Sequence, residues 1–455
     1  MNRMSWQLKK GADRRVRGGH PWIFSNELAH SPRQIEPGTL IDLYSDRGEF
    51  LASGYGNPQS LIAFRVLSRK KDDDLSSPDF LLGRLRRAWR RRQDWGFAGS
   101  FRLVFSEADE LPGLILDRYL LATEGSQVWA LQILTAGMER LLADPLPVLQ
   151  VFADEGLPGW DGTSVVLRKD AAIRKLEGLP VAEPQVLRAR GQGQEKEQGL
   201  ARAQVEVRLF DAPAATLTVD LVNGQKTGFF LDQSWNMKLV NELLRMRSWR
   251  KSQLKQGEEF HVLDLCCYVG HWSLQMARTI RELGAEPVVH LVDVSASALA
   301  LAAENLRRAG LRFFTYPLDV LKDIAQWPAG PFDLLIVDPP ALVKSRKDLA
   351  VAEAAYVKLN TEALRRARPG SLVVSCSCSG LVTEEIFSAI LARAERKSGV
   401  RTHWLTHGGQ SFDHPILGAF PEGKYLKMRV LEVLSGSAKK ISGSIEEPRI
   451  IFLSK

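Results

Sequence analysis

The stretch Val262-Leu263-Asp264-Leu265-Cys266-Cys267-Tyr268-Val269-Gly270 decides the fold class of this chain. It is an apolar run of strand length that contains an acid near its end and continues into a short turn. The residues after the turn carry apolar side chains in a helical pattern: Trp272, Leu274, Met276 and Ala277. A strand that passes through a turn into a helix is the unit that holds nucleotide-like ligands in doubly wound sheets. The stretch therefore predicts the first strand and helix of such a sheet.

The same pattern recurs along the chain. Apolar runs ending near an acid follow at residues 288–293, 316–319 and 333–338, and helical patterns separate them. This alternation of strand and helix, from about residue 262 to residue 433, predicts an α/β fold with a mostly parallel, doubly wound sheet. The strand-end acids come in the order Asp264, Asp293, Asp319 and Asp338. Each of them alone is typical of a helix cap or a turn, but four in register predict a ligand at the carboxyl ends of the strands.

S-adenosylmethionine is the cofactor that fits this predicted crevice. Asp293 is expected to hold the two ribose hydroxyls, and Asp319 is placed where it can hold the adenine amino group. Two other ligand classes are disfavoured. A nucleotide triphosphate is disfavoured because residues 225–228 resemble part of a phosphate loop but lack the glycine before the lysine. NAD is disfavoured because the glycine triplet of a dinucleotide fold is missing after Asp264.

An acid and a thiol stand at the ends of two consecutive predicted strands. The first strand ends in Asp338-Pro339-Pro340, and the second ends in Ser375-Cys376-Ser377-Cys378-Ser379. Pyrimidine C5 is not nucleophilic, and a thiolate that adds to C6 activates it. We expect Cys378 to be this thiolate, and Asp338 to hold the base and stabilise the adduct. The alternative is that both cysteines are small apolar residues of a core strand.

These residues belong to an ordered set of motifs. The chain resembles the ribosomal RNA cytosine-5 methyltransferases that have an N-terminal PUA domain, a middle domain and a class I S-adenosylmethionine domain. The resemblance extends from Leu8 to Leu434. Its markers are Gly18–Phe24, Leu111–Leu114, Gln225–Gln233, Asp338-Pro339-Pro340, Ser377–Leu381, His414-Pro415 and Pro421–Lys427. Two positions depart from the family pattern: Ser234 stands where arginine is usual, and His271 where a small residue is usual.

The resemblance implies which residues act. The implied cofactor-binding residues are Asp264, Tyr268, Gly270, Asp293, Asp319 and Asp338. Cys378 aligns with the cysteine that family members retain, so Cys376 is expected to be structural or to help release the product. The reverse assignment stays open at this point, because residues i and i+2 of a strand share a face. The base that removes the C5 proton also stays open between water, Asp338 and Cys376.

The predicted partner is large-subunit ribosomal RNA of the 23S type, naked or in an assembling subunit. A formal net charge of +8 and a pI near 9.3 favour binding to a polyanion. The residues expected to contact RNA are Lys9, Arg14, Arg15, Arg17, His20, Trp22, Lys226 and Lys344. The alternative for Lys226 and Lys344 is a solvated surface lysine. The sequence does not determine the oligomeric state, and a homodimer is one of the alternatives.

The length predicts several domains. We expect a small β-barrel, PUA-like domain at residues 1–74, a mixed α+β middle domain at 75–203, the methyltransferase domain at 204–435 and a loosely ordered tail at 436–455, with a short strand near residues 450–453. The four cysteines lack zinc-type spacing, so no metal is expected. The absence of a long apolar run predicts a cytoplasmic enzyme with reduced thiols.

Two other functions remain alternatives. An amino-group methyltransferase acting on RNA would use the Asp-Pro-Pro loop without a thiol, and Cys378→Ala would retain its activity. A non-catalytic RNA-binding or ribosome assembly factor would bind RNA without methyl transfer.

Overall fold

The computed structural model describes residues 3–32, 35–123, 125–154, 159–189, 199–208, 214–246, 257–343 and 345–436. The chain divides into two compact units. The first comprises residues 1–238 with residues 410–424, and the second comprises residues 239–409 with residues 425–455. Within the described residues, the first unit contains two sheets and the second contains one.

The N-terminal sheet has short strands whose side chains alternate between core and surface. Its strands are β1 (Met4–Gln7), β2 (Trp22–Phe24), β3 (Thr39–Tyr44), β4 (Phe50–Gly56) and β5 (Ile62–Ser68), in the order β1-β3-β4-β5-β2. The parallel pair is β1 with β3, and the other pairs are antiparallel. The short helix α1 (Asp13–Arg17) contributes Val16 to the same core as Ile41 and Phe64. The predicted small all-β domain is thus present.

The middle sheet extends further along the chain than the sequence predicts. Its strands are β6 (Phe101–Phe105), β7 (Leu114–Leu121), β8 (Gln127–Ile133), β9 (Thr163–Arg168), β10 (Gln185–Arg188), β11 (Ala203–Val207) and β12 (Ala215–Val219). The order is β10-β9-β8-β7-β11-β12, and β6 also pairs with β7. Because β11 is hydrogen-bonded to β7 and β12 to β11, the boundary predicted at residue 203 is wrong: it falls at the first residue of β11 and cuts the last two strands from this sheet.

Three helices pack with the middle sheet: α2 (Pro78–Asp94), α3 (Ala136–Leu141) and α4 (Leu146–Asp154). Helix α2 begins after Ser77, whose hydroxyl accepts a hydrogen bond from Asp79 N at 3.2 Å, and Pro78 fits its first turn. The apolar face of the helix is turned to the core, since Leu82 and Leu85 are buried. Arg92 is also buried and binds Asp109 through both terminal nitrogens, at 2.6 and 2.8 Å.

The second unit contains the predicted doubly wound sheet. Its strands are β13 (Glu259–Leu265), β14 (Glu286–Asp293), β15 (Arg312–Pro317), β16 (Phe332–Val337), β17 (Ala367–Ser377), β18 (Val400–Gly408) and β19 (Lys427–Gly436), in the order β15-β14-β13-β16-β17-β19-β18. The strands from β15 to β17 are parallel, and β19 runs antiparallel to both its neighbours. The strand order reverses between β13 and β16, and sheets of this type bind ligands at such a point.

Helices cover this sheet and explain the near-continuous apolar strands. The helices that follow the middle sheet in sequence are α5 (Ser234–Met246), α6 (His271–Glu282), α7 (Ala296–Arg308), α8 (Leu349–Arg365) and α9 (Glu384–Ser398). Every residue of β16 is buried, as expected for a parallel strand with both faces covered. In the described part of the chain, no helix has the length and apolarity needed to cross a membrane.

Residues 410–424, between β18 and β19 in sequence, belong to the first unit. The Asp413 carboxylate accepts a hydrogen bond from Arg102 N at 2.8 Å, and its carbonyl accepts one from Arg92 Nη2 at 2.6 Å. The ring of Phe420 lies 4.6 Å from that of Trp22, edge to face. The segment that carries the predicted His414-Pro415 motif therefore packs against the middle and N-terminal domains. The predicted C-terminal strand at 450–453 lies outside the described residues.

Candidate functional site

The turn after β13 is shaped by three residues in left-handed backbone conformations. Cys266, Tyr268 and Gly270 have φ angles of 63°, 50° and 79°. A Cβ at Gly270 would lie 2.9 Å from Leu306 Cδ1 and 3.3 Å from Ala302 Cβ, both on helix α7. A side chain at residue 270 is therefore excluded by both the backbone angle and the neighbouring helix. The turn and helix α6 form the cradle that the sequence predicts.

Asp293, the last residue of β14, ties this turn to its neighbouring strand. Its carboxylate accepts hydrogen bonds from Tyr268 N and Ser295 N, each at 2.9 Å. A carboxylate has about four acceptor positions, so acceptor capacity remains for ribose hydroxyls. The arrangement fits the predicted cofactor role of Asp293 and gives Tyr268 a structural contact through its backbone.

Asp264 lies beneath the turn and is completely buried. Its Oδ2 accepts a hydrogen bond from Ser273 Oγ at 2.6 Å, whereas its Oδ1 has no hydrogen-bond partner among the described residues. Burial raises the pKa of Asp264 to about 7, and the nearby carboxylates of Asp338 and Asp293 act in the same direction. The orphaned acceptor of Asp264 fits a cofactor with a cationic group, such as S-adenosylmethionine.

Asp319 lies two residues beyond β15, also at the carboxyl end of the sheet. Its Oδ1 accepts hydrogen bonds from Leu321 N at 2.9 Å and Lys322 N at 3.2 Å. The hydrogen bond from Leu321 N is the largest cause of its lowered pKa. These contacts are those of a turn aspartate, and the adenine contact stays a prediction.

Asp338 follows β16 directly, on the other side of the point where the strand order reverses. Its Oδ2 accepts a hydrogen bond from the indole Nε1 of Trp272 at 3.1 Å, and its backbone N donates to Leu265 O at 3.4 Å. Asp338 is half-buried, so its carboxylate is held in place and still accessible. The sequence reasoning counted Trp272 only as an apolar helix residue. Trp272 is the second residue of helix α6, and its indole N–H could have indicated a hydrogen bond to a group of the site.

The two cysteines of the second motif have different environments. Cys376 lies inside β17, opposite Met428 of β19, and has no exposed surface. Cys378 lies just beyond the end of β17, is half-buried, and its thiol contacts Pro339 O of the Asp-Pro-Pro loop at 3.8 Å. The thiol of Cys378 and the Asp338 motif are therefore next to each other.

A hydrogen-bond network holds the residues on both sides of Cys378. The Tyr356 hydroxyl lies 3.0 Å from Ser377 Oγ and 3.1 Å from Ser379 Oγ. Ser379 Oγ also accepts a hydrogen bond from Leu342 N at 3.1 Å, and Ser379 O accepts one from the buried Lys427 Nζ at 2.6 Å. Tyr356 was not predicted to belong to the site. Lys427 was named only as the last residue of the family marker Pro421–Lys427.

His271 and Ser234, the two residues that depart from the family pattern, are both buried. His271 is the first residue of helix α6, and burial lowers its pKa to about 3, so the imidazole is neutral at pH 7. Its Nε2 lies 3.3 Å from Gln275 Nε2. Ser234 donates a hydrogen bond to Leu231 O at 2.8 Å.

The basic residues predicted to contact RNA in the N-terminal domain are unequally exposed. Lys9 and Arg14 are exposed. Arg17 is exposed too, but it forms ion pairs with Asp13 and Glu49. Arg15 is partly exposed and contacts Glu27 at 3.4 Å. RNA binding by these four residues stays a prediction.

Three of the other residues named for RNA contact, His20, Trp22 and Lys226, have structural partners in the first unit. His20 is buried, with its Nε2 2.7 Å from Arg15 and 3.2 Å from Glu422. Trp22 donates its indole N–H to Glu107 at 2.7 Å, and Lys226 binds Asp232 at 2.6 Å. Their role in RNA binding also stays a prediction. Lys344 lies outside the described residues.

Two family models match the chain. A PUA-like domain matches residues 7–69, and a methyltransferase domain matches residues 256–418. The first match confirms the predicted N-terminal domain type. The second covers strands β13 to β18 and the site residues from Asp264 to Cys378.

Curated relatives and solved structures match nearly the whole chain. The ribosomal RNA large subunit methyltransferase I of Shewanella denitrificans is 30% identical over 94% of this chain and 98% of its own, and that of Photobacterium profundum is 31% identical over 92% and 97%. A structure described as a SAM-dependent methyltransferase from Streptococcus mutans has a TM-score of 0.70 at 17% identity, covering 94% of this chain and 100% of its own. That structural likeness supports the fold.

Proposed function

The chain belongs to the ribosomal RNA large subunit methyltransferase I family, and we propose that it methylates carbon 5 of a cytosine through a covalent bond from Cys378. It is an S-adenosylmethionine-dependent methyltransferase of large-subunit ribosomal RNA. The observation that carries the choice of carbon 5 is the partly exposed Cys378 thiol beside the Asp-Pro-Pro loop, 3.8 Å from Pro339 O. A methyltransferase that acts on an amino group has no need of a thiol at this position.

The cofactor is held by the carboxyl ends of β13, β14 and β15. Gly270 lets the turn after β13 pack closely against helix α7, and Asp293 has acceptor capacity for the ribose. Asp319 is the residue we assign to the adenine. S-adenosylmethionine supplies an electrophilic methyl group on a sulfonium. Helix α6 begins at the cradle, and its first residues shape the site.

Cys378 activates the base. A cytosine stacked in RNA cannot reach the thiol, so the target nucleotide must be turned out of its stack. The Cys378 thiolate then adds to C6, and the electron pair of the C5–C6 bond becomes available at C5. C5 would bond to the methyl carbon that the cofactor supplies, while the sulfonium–methyl bond breaks and its electron pair stays on the sulfur. Cys376 is not suited to this step because it is enclosed within β17.

Asp338 orients the cytosine. The indole of Trp272 fixes one carboxylate oxygen at 3.1 Å, and the carboxylate can accept or share a proton at the N3 and amino edge of the base. After methyl transfer a base removes the proton from C5, the C5–C6 double bond re-forms, and the thiolate leaves. The buried position of Cys376 favours Asp338 or water as that base.

The RNA substrate also contacts the first unit in this proposal. The PUA-like domain carries exposed basic residues, among them Lys9 and Arg14. Phosphate contacts of this kind raise affinity without reading sequence, and they weaken as salt increases.

A trapping experiment tests the proposal. Ribosomal RNA that contains 5-fluorocytidine is incubated with the enzyme and S-adenosylmethionine, and covalent complexes are counted on a denaturing gel. A C5 enzyme stalls on this base because fluorine cannot leave as a proton. We expect a complex with the wild type and with Cys376→Ala, and none with Cys378→Ala.

Other outcomes separate the alternatives. A complex with Cys378→Ala but not with Cys376→Ala would reverse the two cysteines. Methylation of ordinary RNA by Cys378→Ala, with the label on nitrogen, would point to amino-group transfer. RNA binding by the wild type without any methyl transfer would indicate a non-catalytic factor.

A further inference from the structure

We infer that Lys427 is a positioning residue for Cys378, one that holds its loop and favours the thiolate by a buried positive charge. This inference rests on the proposed role of Cys378. Lys427 is the first residue of β19 and pairs in register with Ser377, the last residue of β17. The antiparallel strand therefore brings Lys427 directly beside the end of the strand that carries the thiol.

The side chain of Lys427 is enclosed to an extent that is unusual for lysine. Only 2% of the residue is exposed, and its ammonium donates to Ser379 O at 2.6 Å and to Tyr425 O at 2.8 Å. Burying an ammonium is unfavourable unless strong partners compensate, so a buried lysine needs a reason. One of its acceptors is the backbone carbonyl of Ser379, the residue next to Cys378.

The contact to Ser379 completes a clamp on the loop. The hydroxyl of Ser379 is held by Leu342 N and Tyr356, each at 3.1 Å, while its carbonyl is held by Lys427. On the other side of Cys378, Ser377 donates to Tyr356 at 3.0 Å. Both chain neighbours of the thiol are thus fixed, and the loop of Cys378 is fixed to the segment that follows the Asp-Pro-Pro motif.

The Lys427 ammonium offsets the effect of a neighbouring carboxylate on the Cys378 thiol. Asp338 presents a carboxylate at the neighbouring strand end, and an anion there opposes the formation of a thiolate. Tyr356 stays neutral at pH 7, since burial raises its pKa to about 12. The fixed cation of Lys427 acts in the opposite direction to Asp338, because a nearby ammonium favours a thiolate.

The test measures the reactivity of Cys378 without RNA. Iodoacetamide alkylation is followed by peptide mass spectrometry from pH 6 to pH 10 in a Cys376→Ala background, for the wild-type lysine and for Lys427→Met, Lys427→Gln and Lys427→Arg. Glutamine keeps a hydrogen-bond donor without the charge, and arginine keeps the charge. Cys266 and Cys267 provide internal references, because burial raises the pKa of both thiols well above the usual value.

We expect about tenfold slower alkylation of Cys378 at pH 7 in Lys427→Met and Lys427→Gln, corresponding to a displacement of the pH profile by about one unit. Lys427→Arg should stay within about twofold of wild type. An unchanged profile in a neutral variant with normal thermal unfolding would overturn the inference, and so would loss of folding in both neutral variants. Because no RNA is present, this result is independent of whether the 5-fluorocytidine complex forms.

Discussion

Replacement of Asp264 by asparagine tests the electrostatics beneath the cofactor cradle. Asp264 is completely buried, and its Oδ1 has no hydrogen-bond partner among the described residues. Its pKa is raised from 3.8 to about 7, chiefly by burial. Asparagine has nearly the same shape, can accept the hydrogen bond from Ser273, and carries no charge at any pH. Asp264→Asn should therefore relieve a pH-dependent penalty.

The sign and size of the expected stability change follow from the linkage between proton binding and folding. Between pH 4 and pH 7 the folded protein keeps the Asp264 proton while the unfolded chain has lost it, so folding stability falls as pH rises. The difference between 3.8 and about 7 corresponds to about 4 kcal/mol above pH 7, at 1.36 kcal/mol for each pKa unit. About 3 kcal/mol of this develops between pH 5 and pH 8. The stability of Asp264→Asn relative to wild type should rise by that amount over this interval.

The assay is urea unfolding at pH 5, 6, 7 and 8 without cofactor, read by hydrogen–deuterium exchange of peptides from β13. Reading β13 reports the second unit separately from the first. Asp333→Asn is the matched control, because Asp333 is a buried aspartate of the same sheet that accepts a hydrogen bond from His261 N and pairs with Arg368 at 3.3 Å. That variant should be less stable than wild type at pH 8. A stability difference for Asp264→Asn that is the same at pH 5 and pH 8 would refute the reasoning.

Two further predictions concern single contacts. Trp272→Phe removes the indole N–H that holds Asp338 at 3.1 Å but keeps the packing, so kcat/KM for methyl transfer should fall about tenfold, as for the loss of a hydrogen bond to a charged group. Thermal unfolding should change little, and an unchanged kcat/KM in a steady-state methylation assay would contradict the role of this contact. Glu177→Ala leaves buried partners unpaired, because Glu177 accepts from Arg65 at 3.0 Å and from Asn57 at 2.9 Å. The first unit should lose about 3 kcal/mol of unfolding free energy, and a loss below about 1 kcal/mol in urea unfolding would show that the network is replaced by water.

Much of the second unit could be predicted because its signals are local. The inner parallel strands are covered on both faces, so each must be a nearly continuous apolar run, and the chain shows such runs at β13, β14 and β16. An acid at the end of such a run lies at the ligand-binding edge whatever the rest of the fold does. The predicted order of Asp264, Asp293, Asp319 and Asp338 along the strand ends follows from this regularity.

The domain boundary could not be predicted in the same way. Strand β11 begins at Ala203, after a polar segment that has the composition of a linker, and its own alternation is suitable for any antiparallel sheet. What assigns it to the middle sheet is hydrogen bonding to β7, more than 80 residues earlier. Residues 410–424 present the same difficulty, because their partners Arg92 and Arg102 are distant in sequence.

The sequence by itself determined the class of fold, the position of the acids at the strand ends and the presence of two candidate thiols, since these depend on local periodicity and residue type. Only the tertiary structure separated Cys376 from Cys378, because strand periodicity puts both on one face and gives no indication of where the strand ends. It also placed Trp272 against Asp338 and Lys427 against the Cys378 loop. Such contacts join residues 48 or more positions apart, and they depend on which strands become neighbours in the sheet.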